Sequence, residues 1–378
     1  MKEKYQKLFE KYTLNNGVEI KNRLVVAPMT LFAANEDGTF SQGDFDFMKN
    51  RGENMGMFIV EATLVADGGR AFIRQPQAIN ENDIDGLKKV ADMLKQQGTK
   101  AILQLHHGGK LAIREVNNSD KVAPSLDVQT ESRELLSDEI EKLVEAFGNA
   151  TELAIKAGFD GVEIHGANGY LIQQFYSGHS NRRDDEWGGN REKRMRFTLE
   201  IIKSVNEAKI RNNADKFIVG YRFSPEEPEE KGLTMEDTLY LIDNLVKQPL
   251  QYLHVSLHEF NKKVRRGGNT NLRRIQLIHE RIDGKLPLIG VGGLFTAEQI
   301  IEAFETGWAE FIALGKAVII NPNIATLIYE EREDEIETYL DIEKKEKYSI
   351  SKFLWQAAEK AVGIMPSLKG KEWKPLDI

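Results

Sequence analysis

The chain has 378 residues, of which 41% are hydrophobic and 29% charged, and its formal net charge is −8. This composition is typical of a globular protein with a large core, and the acidic balance argues against nucleic acid and anionic membranes as partners. The absence of cysteine excludes disulfides, thiolate metal sites and cysteine-bound iron–sulfur clusters.

The N-terminal segment, MKEKYQKLFE, is charged and lacks the apolar core of a signal peptide. No later apolar run approaches the length of a membrane span. We therefore expect a cytoplasmic protein that does not contact a membrane.

Short apolar segments alternate with helical patterns along most of the chain. Residues 11–20 predict a β-hairpin with its turn at Asn15-Asn16-Gly17. Strands are predicted at Arg23–Ala27, Met57–Thr63, Ala101–Leu105, Phe159–Gly166, Phe217–Phe223, Tyr252–Ser256, Pro287–Gly293 and Phe311–Gly315. Helical patterns lie near residues 84–97, 137–157, 191–208, 235–247, 271–282, 297–306 and 351–361.

This alternation of strands and helices predicts a parallel sheet, and eight strands are the number of a closed barrel. The fold class is therefore α/β, a single (β/α)8 TIM barrel with the N-terminal hairpin as a cap and extra C-terminal helices. No linker or repeat divides the sequence, so we expect one domain over residues 1–378.

Two polar segments interrupt this pattern. The one from His106 to about Leu136 is long enough to be a lid or a binding loop, and Ser137 is the predicted N-cap of the helix that follows. The charged segment from Glu330 to Lys347 predicts a solvated helix or loop.

Polar side chains collect where the fourth strand ends. His165, Asn168 and Tyr170 lie within six residues, beside Gly166 and Gly169, which permit tight backbone turns. In an α/β barrel this end of a strand faces the catalytic side. A single His after a strand is more often structural, and Asn-Gly is often only a turn. Together, however, the His and Asn can donate to one oxygen while the Tyr supplies a proton, which favours a functional site.

The segments EIHGANGYLIQQF, from Glu163, and NRRDDEWGGNREKRMRF, from Asn181, together resemble the signature of the old yellow enzyme family. Its members are FMN-dependent ene-reductases on a TIM barrel. Trp187 stands where the family has Tyr, Asn190 where it has Ser, and Lys193 where it has Asn.

The ends of the last two strands, G-V-G-G-L from Gly290 and L-G-K-A from Leu314, predict a phosphate site. Gly292, Gly293 and Gly315 would let the phosphate approach the backbone, and Lys316 adds charge. The alternative is tight barrel packing. The resemblance implies that the phosphate is that of noncovalently bound FMN. The family usually has Arg at the position of Lys316, and Lys supplies a point charge instead of a two-pronged fork.

The resemblance implies roles for other strand-end residues. Six of them would contact the flavin ring: Pro28, Met29, Thr30, Ala62, Gln104 and Arg222. His165 and Asn168 would hold the substrate's carbonyl oxygen, Tyr170 would protonate the substrate, and Phe32 would line the substrate pocket. His106, His107 and His179 stay unassigned, and no metal is expected, because none has ligand spacing with a carboxylate.

The implied activity is hydride transfer from NADH or NADPH to the activated C=C bond of an α,β-unsaturated carbonyl compound, with quinones or nitro compounds as further acceptors. Two alternatives stay open: a phosphate-binding barrel isomerase or aldolase, and a redox-silent flavin-binding protein. The sequence leaves undecided the physiological substrate, NADH against NADPH, and whether the chain forms a homo-oligomer whose C-terminal tail reaches a neighbouring site.

Overall fold

The computed structural model describes residues 1–117, 119–360, 363 and 365–374. Eight parallel strands close into a barrel, each pairing with the next along the chain and the last with the first. Strands β1 to β8 are Leu24–Val26, Met57–Leu64, Lys100–His106, Gly161–Gly166, Ile218–Phe223, Tyr252–Val255, Leu288–Val291 and Phe311–Leu314. The predicted barrel is confirmed, and every strand boundary agrees with its prediction to within two residues.

Helices cover the outside of the barrel. Helices α1 to α12 are Gln42–Met48, Ile84–Gln96, Ser137–Lys156, Leu171–Tyr176, Arg191–Arg211, Met235–Leu245, Arg274–Ile282, Ala297–Glu305, Lys316–Ile320, Ile324–Tyr329, Lys345–Tyr348 and Lys352–Glu359. The long helices match their predictions, and Ala361, the predicted end of the last one, lies outside the described residues. The helices that the sequence did not predict, α1, α4, α9, α10 and α11, have four to seven residues. So few residues give too few helical periods to detect.

The start of α3 corrects one prediction. Leu136 is the N-cap, and Ser137 is the first helical residue. The backbone N–H of Leu136 donates to the Glu139 carboxylate at 2.8 Å. An acidic side chain in the first turn therefore takes the place of the predicted serine cap.

The N-terminal hairpin closes one end of the barrel, as predicted. Its strands, Tyr12–Thr13 and Glu19–Ile20, pair antiparallel. Leu14 and Ile20 pack on residues inside the barrel, and the Tyr12 ring lies 5.1 Å from that of Phe311. The other end of the barrel is left for a site.

The two polar segments contain more local structure than expected. The loop after β3 has two 3-10 turns and a short strand pair, Val122–Ala123 with Arg133–Glu134. In the charged segment, Lys344 and Lys347 each lie 2.7 Å from the Glu337 carboxylate. Within the described ranges, no helix is long and apolar enough to cross a membrane.

Candidate active site

Five rings meet at the C-terminal end of the barrel. The Tyr170 ring centroid lies 4.4 Å from that of His106 and 5.2 Å from that of His165. The Phe72 ring centroid lies 5.8 Å from that of Tyr170 and 5.9 Å from that of Phe32. The predicted residues His165, Tyr170 and Phe32 are therefore brought into one cluster, together with Phe72 and His106, which the sequence did not assign.

His165, on β4, is arranged as a neutral hydrogen-bond donor. Burial, together with the charges of His106 and Arg222, lowers the pKa of its imidazole well below the usual value. Its Nδ1 accepts the backbone N–H of Ala167 at 3.3 Å. A neutral imidazole that accepts at Nδ1 carries its proton on Nε2, so Nε2–H is the group free to bind an acceptor.

Asn168 is held so that its amide nitrogen can also donate. Its backbone has φ 59, a left-handed conformation that Asn tolerates well, and its N–H donates to Ser224 Oγ at 2.8 Å. The Ser256 hydroxyl donates to Asn168 Oδ1 at 2.7 Å and accepts from Arg222 Nη2 at 3.1 Å. Because Oδ1 is occupied, the amide NH2 is the end left for a ligand. Ser256 follows β6 and was not among the predicted site residues.

Tyr170 precedes α4 and is half-buried. Burial raises the pKa of its phenol to about 12. The hydroxyl is therefore protonated at neutral pH and can act as a proton donor. His165, Asn168 and Tyr170 thus present three donors within one short segment.

A buried polar network lies inside the barrel next to these donors. The Glu163 carboxylate accepts from Gln104 Nε2 at 2.7 Å, Tyr252 Oη at 3.1 Å and His254 Nδ1 at 2.9 Å. Burial pushes the pKa of Glu163 upward, but His254, Arg222 and Gln104 together bring it below its usual value. Gln104 was predicted to bind the flavin, and the structure shows its amide nitrogen already donating to Glu163, which fixes the side chain.

The predicted phosphate site lies where β7 and β8 end. Gly292 and Gly293 have φ 146 and φ 63, and a side chain at Gly292 would clash with the Phe260 backbone. Glycine is therefore required at this turn. Gly315 immediately precedes Lys316, the first residue of α9.

The Lys316 ammonium has no carboxylate partner among the described residues. Burial alone accounts for the lowering of its pKa, to about 8. A half-buried cation without a counter-ion is stabilised by an incoming anion.

The chemistry of these side chains fits FMN. At the glycine turn, no carboxylate of the described residues pairs with Lys316. Arg222 Nε is buried and has no hydrogen-bond partner in the part of the chain that the structure describes. Those two donors suit a ligand with a phosphate at one end and ring carbonyls at the other.

The remaining predicted flavin contacts lie nearby. Pro28, Met29 and Thr30 follow β1 and are half-buried, and the Met29 sulfur would lie 3.5 Å from a Cβ at Gly315. The loop after β1 therefore meets the phosphate loop. Ala62, on β2, is buried, and its carbonyl accepts from Gln75 Nε2 at 2.9 Å.

The three histidines left unassigned by the sequence each make at least one hydrogen bond within the protein, through the ring or the backbone. Gln75 Nε2 lies 3.0 Å from His106 Nδ1, and His107 Nδ1 accepts the Gly109 N–H at 3.1 Å. The backbone N–H of His179 donates to Ser177 Oγ at 3.2 Å. Across the described ranges, no group of three or more His, Asp or Glu side chains is placed to hold a metal ion.

Known proteins resemble this chain over nearly its whole length. Residues 7–335 match the model of the NADH:flavin oxidoreductase / NADH oxidase family. The probable NADH-dependent flavin oxidoreductase YqiG of Bacillus subtilis (strain 168) is 46% identical over 371 residues, 97% of this chain and 99% of that protein. The NADH:acrylate oxidoreductase of Vibrio harveyi is 36% identical over 358 residues, which make up 92% of this chain but only 35% of that relative.

A solved structure shares the fold. The old yellow enzyme homologue from Zymomonas mobilis superposes with a TM-score of 0.76 at 23% identity, over 92% of this chain and 98% of that one. The resemblance to the old yellow enzyme family is confirmed. The chain belongs to the NADH:flavin oxidoreductase / NADH oxidase family and is an FMN-dependent NAD(P)H oxidoreductase.

Proposed function

We propose that the protein reduces the activated C=C bond of α,β-unsaturated carbonyl compounds with hydride from NADH or NADPH. The observation that carries this proposal is that three donors, His165 Nε2–H, the Asn168 amide and the Tyr170 hydroxyl, lie within one short segment at the open end of the barrel. The Vibrio harveyi relative is called an NADH:acrylate oxidoreductase, and acrylate is an alkene, which supports an alkene as the substrate here. We propose further that residues 1–378 form one domain, because the hairpin packs inside the same barrel that the helices cover.

The cofactor would be held at its two ends. Gly292, Gly293 and Lys316 would bind the phosphate, and Arg222 would place its unpartnered Nε–H at the flavin ring. When bound, FMN supplies hydride transfer between the nicotinamide and the alkene.

The protein's own groups would then act on the substrate. His165 and Asn168 would both donate to the substrate's carbonyl oxygen, where negative charge grows as hydride reaches the β-carbon. Tyr170 would give its proton to the α-carbon, since burial keeps the phenol protonated. Phe32 and Phe72, whose rings contact each other and of which Phe72 also contacts Tyr170, would line the substrate pocket. Quinones and nitro compounds also offer an oxygen to the same donors.

The test measures alkene-dependent oxidation of NADH and of NADPH with 2-cyclohexenone, and phenol binding to the resting enzyme. His165→Ala and Asn168→Ala should each lower kcat/KM by about 10²–10³-fold, which corresponds to about 3–4 kcal/mol of lost transition-state stabilisation, the range for one lost oxyanion donor. Both should also weaken phenol binding. His279→Ala, on the outer helix α7, is the matched control and should change neither.

An enzyme that oxidised NADH without any dependence on the alkene would contradict the proposal. So would phenol affinity that stays unchanged in both alanine variants. A barrel isomerase or aldolase, or a redox-silent flavoprotein, would give no cyclohexenone-dependent oxidation at all.

A further inference from the structure

A tryptophan from the C-terminal segment covers the glycine turn after β7. A Cβ added at Gly293 would lie 3.1 Å from Cη2 of Trp373, so the indole fills the space into which a side chain would project. The Lys316 ammonium lies 4.8 Å from the centroid of the same ring, and the Phe295 ring lies 5.3 Å away. Trp373 therefore contacts both groups that frame the phosphate site.

The segment that carries the indole is fixed to the body of the protein. The Leu340 N–H donates to the carbonyl of Ser367 at 2.8 Å, and the Lys369 N–H donates back to the Leu340 carbonyl at 2.9 Å. Trp373 Nε1–H donates to the carbonyl of Gly363 at 3.0 Å. These bonds hold the ring over the turn, so its position does not depend on the aromatic contacts alone.

The chemistry of the two common flavin nucleotides makes this position informative. FMN ends at its phosphate, whereas FAD continues beyond that phosphate through a second phosphate to adenosine. A site that recognises the flavin ring and the first phosphate offers the same contacts to both. Discrimination must therefore come from whatever lies beyond the first phosphate.

We propose that Trp373 closes the outer side of the phosphate site and thereby selects FMN against FAD. This proposal rests on one part of the proposed function, namely that the FMN phosphate binds at Gly293 and Lys316. In this proposal the indole, which lies against Gly293 and Lys316, would admit a terminal phosphate but block the path of an adenylate extension. Its contact with the Lys316 ammonium also holds that cation toward the turn.

The experiment uses the full chain stripped of flavin, and titrates FMN and FAD separately while following flavin fluorescence. Wild-type protein should bind FMN and bind FAD far more weakly. Trp373→Ala and Trp373→Leu should tighten FAD binding by about tenfold or more, equivalent to at least about 1.4 kcal/mol. FMN affinity should change much less than FAD affinity.

Two controls accompany these variants. Trp373→Phe retains an aromatic ring and should restore most of the discrimination. Trp308→Ala removes a half-buried tryptophan just before β8, at the opposite end of the barrel, and should leave both affinities as in the wild type. Far-ultraviolet circular dichroism of each variant reports whether the chain is folded.

Other outcomes would overturn the proposal. One is a folded Trp373→Ala variant that still excludes FAD. Another is tighter FMN binding without any gain for FAD, since the indole would then occupy the phosphate position itself. If Lys316→Ala bound FMN as tightly as wild type, the phosphate site would be misplaced. The proposed cofactor contacts would then fail together with the proposed role of Trp373.

Discussion

Among single residues, Lys316 gives the clearest pH prediction. Burial lowers the pKa of its ammonium to about 8, and a bound phosphate would raise that pKa by favouring the charged form. FMN affinity should therefore be nearly constant from about pH 7, where the phosphate is fully ionised, up to pH 8. Above pH 8, FMN binding must take up a proton, so the affinity should fall by up to about tenfold per pH unit.

The matched variant is Lys316→Arg, whose guanidinium stays charged throughout this range. It should bind FMN with little pH dependence between pH 7 and 9.5, as measured by fluorescence titration at fixed ionic strength. Identical pH profiles in the two proteins would show that the Lys316 ammonium does not bind the FMN phosphate.

Tyr170 gives a second prediction at this scale. Its phenol has a pKa of about 12 because of burial, so it can donate a proton across the whole neutral range. Tyr170→Phe should leave NADH oxidation in the first half-reaction nearly unchanged, because that step protonates no carbon. It should slow enone reduction in the second half-reaction by about 10²–10⁴-fold, the usual contribution of a positioned acid.

Stopped-flow traces of each half-reaction test this separation. Quinone reduction should be spared, because quinones take their protons on oxygen. Equal slowing of both half-reactions in the Phe variant, with a lowered melting temperature, would instead mark Tyr170 as a packing residue. Loss of its hydroxyl would then leave a buried polar group without its hydrogen bond.

The site residues differ in how far the sequence could predict them. His165, Asn168 and Tyr170 follow one buried strand within six residues, so local spacing alone placed them together. Ser256 orients Asn168 from 88 positions away, and its neighbours in the sequence give no sign of that contact. Trp373 reaches the phosphate turn from the far end of the chain. Contacts of this kind depend on barrel closure, which brings strand ends together irrespective of their separation along the chain.

At the scale of elements, α1 and β2 share a buried carboxyl pair. Glu61, on β2, accepts the Leu31 N–H at 2.8 Å, and Asp44, on α1, accepts the Ser41 N–H at 2.7 Å. Burial first, and then the charge of Asp44, raise the pKa of Glu61 well above its usual value. The second oxygen of each carboxyl has no donor within the described residues, which is the pattern expected when two carboxyls share one proton.

This pair should make stability depend on pH in a defined direction. A carboxyl with a raised pKa in the folded state binds its proton more tightly there than in the unfolded chain. Its stabilising effect is complete below the unfolded pKa and is lost as pH rises through the folded pKa. Glu61→Gln, which cannot ionise, should therefore gain stability relative to wild type as pH rises from about 5 to 9.

Urea unfolding at several pH values measures this difference. Asp44→Asn tests the same pair from the other element and should change the pH profile in the same direction. Free energies of unfolding that run parallel with pH in all three proteins would show that the two carboxyls do not share a proton.

The elements also differ in predictability, for a physical reason. The barrel strands are buried on both faces, so they appear in the sequence as short, nearly continuous apolar runs between turn residues. The long outer helices keep one apolar face against the barrel and show a clear helical period. Short helices such as α4 and α9 are set by the loops around them, and Leu171–Tyr176 is buried at every position, which leaves no periodic pattern.

At the scale of the whole molecule, FMN binding should stabilise the folded barrel by joining strand ends at its open end. The proposed contacts come from β1, β2, β3, β5, β7 and β8 or the loops that follow them, so binding joins strands that lie far apart in sequence. The hairpin already closes the other end through Leu14 and Ile20. A ligand that binds only the folded barrel stabilises it by about 2.7 kcal/mol at 100 times its dissociation constant.

Thermal unfolding of the flavin-free protein with added FMN measures this stabilisation. The melting temperature should rise with the logarithm of FMN concentration, and riboflavin, which lacks the phosphate, should raise it much less. Lys316→Ala should bring the FMN response down to that of riboflavin, because the half-buried ammonium is the cation at the phosphate turn. Lys285→Ala, an exposed lysine before β7, removes the same charge at the opposite end of the barrel and should respond like the wild type. Equal responses to FMN and riboflavin in the wild type would mean that the barrel holds the flavin by its ring alone and that the glycine turn serves only packing.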